Sequence, residues 1–316
     1  MANLSQKGVK KPLLLDKLAQ VPTKGHENLL KRARSKWFTY HIIKYLLLID
    51  SPLHKYYQSC LHCCEIISQR GDKFTSKYCN TRPCNICNRI RTGKLINGYL
   101  RQIDKLPEVY QVVLTIPNCR GIVLRGVLEN MIKQITLIIR VLRERRGILV
   151  NGIRKIEVTY NHKTDTYHPH LHLLVDKGYT EIVDEWLKRF PASVRKAQSI
   201  TIADNNSLKE LFKYTTKIAV GKKYEMSSRQ HKIEVYSHAL DTIFRALHKK
   251  RAFQPFGKIK KVSEEVNEQL TAQSYADMPK YDFVEWIWDE CDWYSEKLGD
   301  TLTGYVPPEV EFTGYL

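Results

Sequence analysis

Hydrophobic positions become regular from Tyr110 onward. Gln111-Val-Val-Leu-Thr-Ile116 predicts a buried strand, stopped by Pro117-Asn118, and Ile122 to Arg145 repeats Leu, Ile and Val at helical spacing. Ile153 to Tyr160 and His170 to Val175 alternate, with a polar turn, Asn161 to Thr166, between them, which is the pattern of a hairpin. Tyr179 to Phe190 predicts a helix closed by Pro191, Gln198 to Ile202 a short strand, and Asn206 to Ile218 another helix. Upstream, Trp37 to Ile49 has helical spacing within an otherwise basic, weakly patterned stretch, and Arg89 to Arg101 predicts a short helix. Beyond Lys223 the chain reads as mainly helical, ending in an aromatic, acidic segment from Tyr281 to Tyr294.

The order β-α-β-β-α-β-α predicts an α+β fold, an antiparallel sheet covered by helices with a ferredoxin-like β-α-β-β-α-β core. With 316 residues, 43% of them hydrophobic, the chain can bury a sizeable core. Charge sharpens the picture: 51 Lys and Arg against 33 Asp and Glu leave +18, a surplus that favours a polyanion through counterion release, with DNA the first candidate. The longest apolar runs, such as Tyr45 to Ile49, are far short of a bilayer span, and Met1 to Pro12 is Lys-rich without a secretory pattern, so a cytoplasmic protein with no membrane partner is expected.

Three groups of residues carry chemistry. In Tyr167-His-Pro-His-Leu-His-Leu-Leu174 the two-residue period of a strand puts His170 and His172 on one face, where two imidazoles can hold one divalent metal. A third, carboxylate ligand is expected from the partner strand, Lys155-Ile-Glu-Val-Thr-Tyr160. A hairpin pivoting at Thr164 and Asp165 sets Glu157 opposite His172, with His168 in reserve.

In Ser207-Leu-Lys-Glu-Leu-Phe-Lys-Tyr-Thr-Thr-Lys217, Leu208, Leu211, Phe212 and Thr215 form an apolar stripe, leaving Glu210, Lys213, Tyr214 and Lys217 on the other side. Ser207-x-x-Glu210 also matches a capping box. The third group is six of the eight cysteines, in Cys60-x-x-Cys63-Cys64 and Cys79-x4-Cys84-x2-Cys87, spacings that suit a tetrahedral Zn²⁺ held by four thiolates. Cys60, Cys79, Cys84 and Cys87 are the expected set, with Cys63 as substitute.

Together these segments resemble the plasmid rolling-circle replication initiators of Gram-positive type, within the HUH (His-hydrophobic-His) endonucleases. Leu114-Thr-Ile-Pro-Asn118 is similar to the family's first motif, and Glu157-Val-Thr-Tyr-Asn161 with His168-Pro-His-Leu-His172 to its second. Glu210-x-x-Lys-Tyr214-x-x-Lys217 is similar to the third, and Cys79-x-x-Arg-x-Cys84-x-x-Cys87 to the cysteine signature ahead of the nuclease core.

The resemblance implies that Tyr214 is the nucleophile of a DNA nicking and closing reaction and that His170 and His172 hold Mg²⁺ or Mn²⁺. The phenolate needs help to form near neutral pH, which Lys213 or Lys217 is placed in the sequence to give electrostatically. The resemblance also implies that Glu210 activates water at termination, and that the partners are origin DNA and a host helicase and polymerase. Four regions are then expected: a basic arm (1–55), a cysteine-rich zinc module (56–100), an HUH nicking domain (101–222) and a mainly helical C-terminal region (223–316). A mobilisation relaxase or transposase shares this chemistry, and a zinc-containing DNA-binding regulator would use the same charge without catalysis.

Overall fold

The computed structural model describes residues 25–204, 211, 231–266, 278 and 280–315. Its centre is a five-stranded antiparallel sheet, in the spatial order β6-β3-β5-β4-β8, built from β3 (Tyr110–Thr115), β4 (Gly152–Asn161), β5 (Thr166–Val175), β6 (Ser199–Ile202) and β8 (Phe253–Phe256). The chain is α+β, with antiparallel sheets and several helices.

Strand alternation divides this sheet into two faces. Val112, Leu114, Leu171 and Leu173 point to one side, under α4 (Gly121–Arg146) and α5 (Tyr179–Arg189). Helix α4 repeats its apolar residues every three or four positions, and Leu124, Leu128, Met131, Ile135, Ile138 and Leu142 are all buried, each contributing roughly 1.5–3 kcal/mol of transfer free energy. The helix stops at Gly147, whose φ of 66° is costly for any residue with a Cβ, and the Ile148 N–H returns to the Leu142 carbonyl at 2.9 Å.

On the other face Ile153 and Leu174 pack against Leu95, Tyr99, Leu100 and Ile103 of α3 (Asn85–Ile103), with Phe253 and Leu211 in the same cluster. Leu211 is the one described residue of the expected helix Asn206–Ile218; Glu210, Tyr214 and Lys217 lie outside the described residues.

Described segments from both halves of the chain come together around the cysteines. Within the basic stretch expected as an arm, α1 (Gly25–Leu46) is a core helix: Leu29, Ala33, Ile43 and Leu46 are fully buried, and the Tyr45 hydroxyl donates to the Phe312 carbonyl at 2.7 Å. After α2 (His54–Leu61), β1 (Ile66–Gly71) and β2 (Lys73–Ser76) join β9 (Tyr281–Asp289), β10 (Asp292–Ser295) and β11 (Asp300–Thr301) in a second antiparallel sheet ordered β11-β10-β9-β1-β2.

The expectation of a mainly helical C-terminal region is therefore corrected. Its described residues hold one helix, α6 (Ser237–Leu247), whereas β7 (His231–Tyr236) pairs in parallel with β12 (Val310–Tyr315) and the aromatic segment is strand. Val284 and Trp286 alternate with exposed Phe283, Glu285 and Ile287, a period of two that buries one face only. Among the described residues no helix is long and apolar enough to cross a membrane.

Candidate metal centres

Three neighbouring strands set the first centre. Thr115 of β3, His170 of β5 and Glu157 of β4 form one cross-strand row, and Val113, His172 and Lys155 form the next. Glu157 thus lies opposite His170 rather than His172. The reason is in the turn: Asn161 pairs with Thr166, and the Asn161 side-chain oxygen accepts from the Lys163 N–H at 3.0 Å, so the hairpin pivots one residue earlier than the polar pattern suggests. A pivot moved by one residue moves the partner by two, which keeps Glu157 on the histidine face.

Donor atoms of Glu157, His170 and His172 converge within 4.8 Å of one another. Glu157 Oε2 is 3.4 Å from His172 Nε2 and accepts from Lys155 Nζ at 2.8 Å. Burial alone raises a carboxyl pKa, but the His172 hydrogen bond and the Lys155 charge outweigh it and hold Glu157 well below the usual carboxylate range. His170 is 9% exposed, and burial, reinforced by His172, lowers it to about 4. Its Nδ1 sits 3.1 Å from the His168 carbonyl, which leaves Nε2 for a ligand. An ionised carboxylate beside a neutral buried imidazole is a donor set that fits a divalent cation. The reserve ligand, His168, lies beside His170 with ring centroids 5.3 Å apart and the rings tilted by 34°, but is outside the converging set.

The second centre is a four-cysteine cluster, and its membership corrects the expected one. Cys63, Cys79, Cys84 and Cys87 have sulfurs within 4.8 Å of one another, with Cys63–Cys87 and Cys79–Cys87 both at 3.6 Å. A Zn–S bond of about 2.3 Å gives a tetrahedral S–S edge of about 3.8 Å, so the spacing suits a closed four-thiolate site. Cys60 is still inside α2, and its sulfur is turned to the Thr81 hydroxyl at 2.9 Å; Cys63 lies just past the helix end, where the chain turns toward the cluster.

Cys84 caps α3, its sulfur accepting from the Cys87 N–H at 3.5 Å, so both second-knuckle ligands sit at the positive end of a helix. Hydrogen bonds from Cys60 and Cys63, then from Cys84 and Cys87, hold Cys79 well below its ordinary value, whereas burial raises Cys84.

Beneath this cluster sits a residue that local patterning did not single out. Lys36 of α1 is 1% exposed and donates to the Cys63 carbonyl at 2.7 Å and to the Leu61 carbonyl. Burial lowers its pKa against the opposing pull of Cys64, Cys63 and Cys84. A cation there offsets the negative charge of a thiolate cluster and fixes the turn that presents Cys63. With the two 27 positions apart, nothing in the sequence near either one announces the contact.

The Replication protein family model matches residues 72–285. A relative from Staphylococcus aureus called Protein rep is 31% identical over 168 residues, covering 46% of this chain and 71% of its own length. Proteins of the same name from a Bacillus species (26% identical, 40% of this chain and 45% of that one) and from Streptococcus pneumoniae serotype 2 (24%, with 44% and 48%) match shorter shares of their own lengths. The chain thus spans under half the length of the latter two, and no solved structure matches it. The chain belongs to the replication protein family, the plasmid replication initiators of Gram-positive type that its four ordered motifs resemble.

Proposed function

We propose that this protein starts plasmid rolling-circle replication by nicking one origin strand with Tyr214, in a metal-dependent transesterification confined to the cytoplasm. The observation that carries the reading is the convergence of Glu157, His170 and His172 on one sheet face, in a family of replication proteins. The strand order β6-β3-β5-β4, with α4 and α5 on the opposite face, supports a ferredoxin-like core in which the histidine strand is central.

Two imidazoles and a carboxylate would hold Mn²⁺ or Mg²⁺, with the nitrogen donors favouring Mn²⁺, and the four thiolates would hold a structural Zn²⁺. The catalytic cation, when bound, supplies charge neutralisation at the scissile phosphate. Leu211 supports the placement of the nucleophile: it packs with Ile153 and Leu174 on the histidine face, and Tyr214 follows it by three residues, at most about 11 Å of chain.

In the proposed reaction the Tyr214 phenolate attacks phosphorus, the bond from phosphorus to the 3′ oxygen breaks, and that oxygen leaves as a 3′-hydroxyl after taking a proton. The product is a 5′-phosphotyrosine, and one phosphoester replaces another without nucleotide hydrolysis. Lys213 and Lys217 would favour the phenolate, and Glu210 would serve as base for water in the terminating cleavage.

The test is cleavage of a labelled single-stranded origin oligonucleotide. Wild type should form a denaturant-resistant adduct that maps to Tyr214, and Tyr214→Phe should bind DNA normally yet neither nick nor form the adduct. Nicking without an adduct, or an adduct on another tyrosine, overturns the assignment.

A further inference from the structure

The C-terminal turns of α4 and α5 carry more positive charge than the fold itself calls for. Glu144 pairs with Arg140 at 3.9 Å and Arg143 at 2.7 Å. Glu185, buried at the side of α5, gathers Arg146 at 2.6 Å, Lys188 at 3.0 Å and Arg189 at 3.3 Å. Arg145 is exposed, and no carboxylate among the described residues pairs with it. Six cations against two carboxylates leave 6 − 2 = +4 on one surface. Two helix C-termini offset about half a charge each, so about +3 remains. Pairing does not hide these groups: Arg140 and Arg143 side chains are each 58% exposed and Lys188 is 64% exposed, so their spare N–H donors face solvent.

This surface lies on the far side of the central sheet from the metal triad. Helix α4 packs its stripe toward Leu171 and Leu173, while His170 and His172, alternating with them along β5, point the other way. A cationic surface so placed cannot contact the phosphate undergoing cleavage. It can hold other phosphates.

We propose that the α4–α5 surface binds double-stranded DNA through its backbone, independently of base sequence, while the strand to be cut is engaged on the opposite face. The proposal rests on the reading of the chain as a nicking initiator. The chemistry is arginine-rich contact with phosphate: several planar guanidiniums, which make two hydrogen bonds to one phosphate more readily than an ammonium does.

The test compares two triple variants of equal net charge: Arg140→Gln/Arg143→Gln/Arg145→Gln on the surface, and Lys55→Gln/Lys73→Gln/Lys105→Gln at exposed positions elsewhere. Binding to a duplex of arbitrary sequence is followed by fluorescence anisotropy over a range of salt, together with cleavage of a short single-stranded origin oligonucleotide. Each lost phosphate contact removes about 0.9 from the slope of log affinity against log salt. The arginine variant should therefore lose about 2 to 3 in slope and about 100-fold in duplex affinity near 0.1 M salt, with single-strand cleavage unchanged and the lysine variant close to wild type. Equal losses in both variants, or none in the arginine variant, overturn the proposal. Wild type failing to cleave its single-stranded origin would instead defeat the nicking reading and leave the duplex result standing.

Discussion

Substituting Cys63 and Cys60 one at a time by serine separates the metal set the structure assembles from the one the spacing suggested. Cys63 has its sulfur 3.6 Å from Cys87 and accepts the Cys79 N–H at 3.4 Å, so it is tied to the cluster twice; Cys60 lies outside the converging set, its thiol shared between Thr81 and Cys79. Zinc in small cysteine modules contributes about 10–16 kcal/mol of apparent binding free energy, so one thiolate of four accounts for about 2.5–4 kcal/mol. Cys63→Ser should therefore weaken zinc binding by about two to three powers of ten. Cys60→Ser puts a hydroxyl where the thiol meets Thr81 and Cys79, a change of about 1 kcal/mol or less, and should leave about one zinc per chain. The assay is elemental analysis of purified protein, followed by competition with a chromophoric chelator. Zinc retained by Cys63→Ser but lost by Cys60→Ser would refute the cluster geometry, and no zinc in wild type would refute the site.

Two further outcomes follow from buried charges. His170 stands at about 4 in the folded chain against an ordinary 6.5, so the stability tied to its neutral form is complete above about pH 6.5 and is lost as pH falls through about 4. The difference is about 3 kcal/mol; in metal-free protein, denaturant titrations should show this decline, His170→Leu should flatten it, and an unchanged pH dependence would count against the burial described. Lys36→Met should remove two charge-assisted hydrogen bonds to the cysteine turn, lowering stability by about 2–4 kcal/mol and zinc affinity by about 10- to 100-fold; normal zinc affinity in a folded variant would leave Lys36 without a role at the cluster.

Much of the candidate site was legible locally. The two-residue period of β5 places His170 and His172 on one face whatever strand lies beside it, because that follows from backbone geometry alone. The apolar stripe of α4 likewise identifies a helix and its buried side without reference to a partner. What local pattern cannot supply is the neighbour. Glu157 stands opposite His170 because the Asn161 to Thr166 turn closes one residue early, a matter of dihedrals and side-chain bonds within the turn. Cys63 replaces Cys60 because α2 ends between them, and a shift of a few residues in a helix end re-aims a thiol. The aromatic segment near the C-terminus becomes strand β9 through pairing with β1, and Trp286 Nε1 donates to Gln69 across 217 residues of chain. Lys36 reaches the cysteine turn from a separate helix. Periodicity is written in each short stretch of chain, whereas register, ligand membership and charge compensation depend on which distant stretch arrives beside it, and only the packed structure decides that.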